Sequence, residues 1–73
     1  MTPPAITTSA GCIHVGTARM SITEAWEIMS LWADELRADI TAGDRESASR
    51  TIEAINELAV AIVAACAWLE ARA

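Results

Sequence analysis

From Ile22 the apolar residues Ile22, Trp26, Met29, Ala33, Leu36 and Ile40 recur at spacings of four and three, the signature of a helix with one apolar seam. A second set, Ile52, Ile55, Ala59, Ile62, Cys66 and Leu69, repeats the pattern further on. Between the two lies Thr41-Ala42-Gly43-Asp44, where Gly43 suits a left-handed helix end and Asp44 can cap the next helix. Ser21-Ile22-Thr23-Glu24 matches a capping box at the start of the first helix. The pattern predicts helix one over about 21–42, a turn at 43–44 and helix two over about 45–71. A connection this short makes the helices antiparallel neighbours, with positions summing to roughly 88 facing one another.

Residues 1–20 hold both prolines, two of the three glycines and many Ser and Thr, and read as an irregular, flexible arm ahead of a hairpin domain at 21–73. Met20 sits immediately before the cap, so a translation start at Met20 is a second reading of that arm. The expected fold class is all-α: an antiparallel hairpin of two long helices that associates into a four-helix or larger bundle.

Association is expected because both helices carry apolar residues off their seams. Helix one has Ile28, Leu31 and Trp32, and helix two has Leu58, Val60, Val63 and Trp68. The run Leu58 to Leu69 contains no polar side chain, and a helix apolar all round needs burial all round. These seven residues are the candidate oligomer or partner interface. The run spans only about 18 Å, short of the roughly 30 Å of a bilayer core, so membrane association is the weaker expectation.

Composition sharpens the picture. At 73 residues the chain is one small domain, yet 53% of its residues are hydrophobic and its mean hydropathy is +0.32. A domain of this size buries only about 60% of its unfolded surface, so its own core is marginal. The net charge is −5, all five cations are Arg and there is no Lys, which leaves no basic stripe for nucleic acid. The Ala-rich, Arg-only composition points to a GC-rich coding sequence of the kind found in actinobacteria and their phages. Without a cationic segment followed by an apolar one at the N-terminus, and with a single distant cysteine pair, a cytoplasmic protein is expected.

Candidate chemistry is sparse. Cys12, His14 and Cys66 offer three soft ligands where a structural zinc site takes four at close spacings. Cys12 and His14 have no third group to orient them as nucleophile and base. Asp34, Glu35 and Asp39 lie off the seam and read as a solvated face. Arg45 and Arg50 flank a helix start, where an anion or nucleotide phosphate could bind against competition from Asp44 and Glu46. The sequence therefore predicts a non-enzymatic protein with no cofactor and no metal, which binds itself and another protein. The alternatives are a small-ligand sequestering oligomer and a peripheral membrane protein. Ile62→Asp should unfold or disassemble the protein, read as loss of the cooperative thermal transition in circular dichroism or of the associated mass, because an unpaired buried charge costs several kcal/mol. Glu53→Ala should leave that transition within about 0.5 kcal/mol of the parent.

Overall fold

The computed structural model describes residues 6–72; Met1 to Ala5 and Ala73, which include both prolines, lie outside it. Three short strands, β1 (Ile6–Ser9), β2 (Cys12–Val15) and β3 (Ala18–Met20), precede two helices, α1 (Ile22–Ala42) and α2 (Arg45–Arg72). The strands form one antiparallel sheet in the order β1-β2-β3. The fold is thus an antiparallel helical pair with a small sheet, and the all-α class, the irregular arm and the four-helix bundle expected from the sequence are corrected. The two glycines of the arm, read as loop punctuation, instead close two tight hairpins. Ala10 and Gly11, at φ 52° and 77°, form a two-residue turn of the type I′ kind, and Gly16 at φ 63° opens the second. Ile6 then pairs with Val15, Thr8 with Ile13, and Ile13 with Met20.

Helix ends follow local chemistry. The Glu24 amide donates to Ser21 Oγ at 3.2 Å, while Ser21 Oγ donates to Glu24 Oε1, also at 3.2 Å, in place of a return bond from the Glu side chain to the Ser21 amide. Gly43 is left-handed at φ 75°; its amide and that of Asp44 close on the carbonyls of Ile40 and Asp39 at 3.1 and 2.9 Å. Asp44 Oδ1 accepts from the Ser47 amide at 3.0 Å and starts α2.

The buried face is rotated from the expected seam. Ile13 and Leu58 are fully buried, and with Met20, Ala25, Ala61 and Ala65 they make the core. Ile22, Ile28, Met29, Trp32 and Ile62 pack against it, half-buried. Trp26 and Ile40, expected in the seam, are 59% and 64% exposed. The cause is the sheet. It forms a second wall over the helical pair, so α1 turns positions 25, 28 and 32 inward and α2 turns 58, 61 and 65 inward. Alanine at 25, 61 and 65 lets the sheet approach the helices closely. Leu58→Ala should lower the unfolding free energy by about 3 kcal/mol in a urea titration, since it removes a fully buried side chain from a core that cannot collapse onto the gap.

Candidate interaction surface

With its inner face committed to the core, α2 presents a second apolar face to solvent. Val60 and Val63 are 69% and 68% exposed, and Ala64 and Ala67 lie exposed beside them at helical spacing. Ile52, 45% exposed, extends the apolar surface toward the loop, whereas Leu69 lies on the opposite side of the helix, beside the β1–β2 turn. Trp68 is partly covered by the guanidinium of Arg72, 4.7 Å from its ring centre. Asn56 and Glu57 mark where the face becomes polar.

The seven expected interface residues divide accordingly. Leu31, Val60, Val63 and Trp68 are exposed, and three of these belong to α2. Ile28 and Trp32 are half-buried and Leu58 is fully buried, all three packed in the chain's own core, where the sheet has taken up the surplus apolar surface of the hairpin. Leu31 stands apart on the outer face of α1.

The outer face of the sheet holds the polar strand positions. Thr7, His14 and Arg19 are cross-strand neighbours, with Ser9 and Cys12 next to them. Arg19 Nη2 donates to Cys12 Sγ at 3.4 Å, a contact that raises the guanidinium pKa above its ordinary value and leaves Arg19 charged as before. Cys12 and Cys66 are both free and half-buried. Among the described residues there is no group of three or more His, Cys, Asp or Glu placed to hold a metal.

Near the interhelical turn, Asp39 is half-buried and not part of a solvated acidic face. Its Oδ2 accepts from Ser47 Oγ at 2.9 Å and Thr51 Oγ1 at 3.4 Å, tying α1 to α2. Asp34 and Glu35 are exposed. An open cleft of about 250 Å³ beside this tie is lined by Trp32, Glu35, Ser47, Arg50, Thr51 and Ala54. Arg50 thus stands near an aromatic ring, whereas Arg45 does not line the cleft.

By length and composition α2 is apolar enough to cross a membrane, and only 17% of its most apolar stretch is buried within the chain. The 28 residues of the helix set its reach, whereas the uninterrupted apolar run that the sequence offers is shorter. No family model, curated protein or solved structure matches this chain.

Proposed function

We propose that the chain is a non-enzymatic, cytoplasmic interaction module that joins proteins through the outer face of α2, with a second copy of itself as the first partner. The observation that carries this reading is the exposed row Val60, Val63, Ala64 and Ala67 on a helix whose opposite face is already buried. Removing a valine side chain from water contributes roughly 1.5–3 kcal/mol, so Val60 and Val63 alone supply a substantial drive for association. Alanines beside them permit the close backbone approach of another helix. A protein partner is favoured over lipid because Asn56 and Glu57 interrupt the apolar stretch of α2, and because the acidic, Lys-free chain repels anionic headgroups.

A second reading is supported by one observation, the shared cleft of Trp32 and Arg50, where a guanidinium and an aromatic ring could receive a small anion or a nucleotide. Glu35 lines the same cleft and opposes the anion, which ranks this reading below the first.

Val60→Glu should lower the mass measured by light scattering to the single-chain 7.8 kDa without reducing the helical circular dichroism, since the side chain is largely exposed in the single chain. Asp34→Ala, on the outer face of α1, should leave the mass of the associated form unchanged. A mass of one chain for the unaltered protein at all concentrations would exclude the first reading. Calorimetry against a panel of nucleotides should give no heat; heat that disappears in Arg50→Ala would establish the second.

A further inference from the structure

The apolar face of α2 adjoins an open edge of the sheet. Ile6, Asn56, Glu57 and Val60 line one open cleft of about 530 Å³, which sets the beginning of β1 beside the beginning of the apolar row. At the far end of the strand, a Cβ placed on Gly11 would lie 3.0 Å from Trp68 Cε3 and 3.1 Å from Leu69 Cδ2. β1 therefore runs alongside α2. The four residues of β1 and the turn that follows reach at most about 16 Å from Ile6 to Gly11, and the helix between Glu57 and Trp68 covers about the same. The middle of β1, at Thr7 and Thr8, falls level with Val60 and Val63.

The β1 edge, Ile6-Thr7-Thr8-Ser9, is short, but it lacks the charges, prolines and bulges that normally block strand pairing, and three of its four residues are exposed. Its backbone polarity follows from the turn. A two-residue type I′ turn makes the flanking pair, Ser9 with Cys12, the hydrogen-bonded kind, and alternation makes Thr7 with His14 the next. Ile6 and Thr8 are left with amide and carbonyl directed at the open edge.

We infer that two copies of this chain join about a two-fold axis that passes beside Thr7 on β1, so that Ile6 of each copy pairs with Thr8 of the other, and between Val60 and Val63 on α2. The inference rests on the reading of the α2 face as an interface, and it names the geometry of that interface. β1 pairs antiparallel with its counterpart to make a continuous six-stranded sheet, and the two α2 helices pack against each other on one side of it. A two-fold axis presents the same edge and the same apolar row to themselves at once, which is what an isologous contact requires. Paired strands stand about 4.8 Å apart, so the helices lying over them come close, and Ala64 and Ala67 supply the small side chains needed there.

The exposed area leaves surface enough for this occupant. A compact monomer of 7.8 kDa exposes about 4,400 Å². This chain exposes 5271 Å² in all, roughly 900 Å² more, a whole-chain surplus large enough to supply the 800 Å² or so that each partner buries in a standard interface. A bilayer would cover the valines but offers no strand to Ile6 and Thr8.

Amide exchange of the full-length chain, followed by NMR, separates this arrangement from other modes of association. The Thr8 amide should exchange at least about tenfold more slowly at concentrations where light scattering gives a dimer than at concentrations where it gives single chains. The Thr7 amide, paired within the hairpin, should be protected in both. Thr8→Pro removes an outward amide and no bond of the hairpin, so it should yield single chains with unchanged helical circular dichroism. A dimer whose Thr8 amide is unprotected overturns this geometry while leaving association through α2 intact, and so does a Thr8→Pro protein that remains dimeric. A chain that is single at every concentration overturns both. Should Thr8→Pro fail to fold, exchange in the unaltered chain still decides.

Discussion

Everything in this fold depends on how closely a sheet of three short strands can lie on a pair of helices. Ile13 and Leu58 are the large side chains that become fully buried among the described residues, and they do so because Ala25, Ala61 and Ala65 leave room beside them. Larger residues at those three positions would lift the sheet away and open Ile13 to water. Without the sheet, the helical pair would retain half-buried side chains such as Met29, Trp32 and Ile62 but no sealed interior. A core this thin fits the general limit on small domains, in which surface outgrows volume.

The same constraint decides what remains outside. Helix α2 has 28 residues against 21 in α1, and antiparallel pairing carries its C-terminal turns beyond the start of α1. There the β1–β2 turn reaches Trp68 and Leu69, and Gly11 is required both for its positive φ and for the lack of a Cβ against the indole. At the other end, Asp39 with Ser47 and Thr51 fixes the pairing of the helices by hydrogen bonds, where the sheet does not extend. Turning both inner faces toward the sheet necessarily turns Trp26 and Ile40 on α1, and Val60 and Val63 on α2, toward solvent.

The legible parts of the fold were those encoded within a few residues. Ser21 and Glu24, Gly43, and Asp44 mark helix ends by chemistry that acts over one turn, and the same groups make the bonds seen in the structure. The sheet was hidden because its strands are three or four residues long, too short for a period of two to emerge, and because a positive φ at Ala10 has no sequence signal. The buried faces differ from the heptad seam for a related reason. A heptad reading assigns the core to the larger residues, Trp26 and Ile40, whereas here the close approach of a third element favours alanine. Of the candidate interface, Val60, Val63 and Trp68 remained on the surface, but the surplus represented by Ile28, Trp32 and Leu58 had an intramolecular destination that only the sheet reveals.

Charge placement bears on how such a surface can meet its own copy. A chain of net charge −5 repels another, and a contact between like copies must keep its acids apart or in water. Glu24, Glu27, Asp34 and Glu35 lie exposed on α1, across the helical pair from the outer face of α2, and at physiological salt charges beyond about 8 Å are largely screened. On α2 itself, Glu53 and Glu57 precede Val60 and Glu70 follows Ala67, so the acids stand at the two ends of the apolar row and not within it. The centre of the row contains only aliphatic side chains, and the strand that runs beside it is uncharged. Electrostatic repulsion is thereby confined to the rim, where solvent remains, and the middle of the face is free to exclude water.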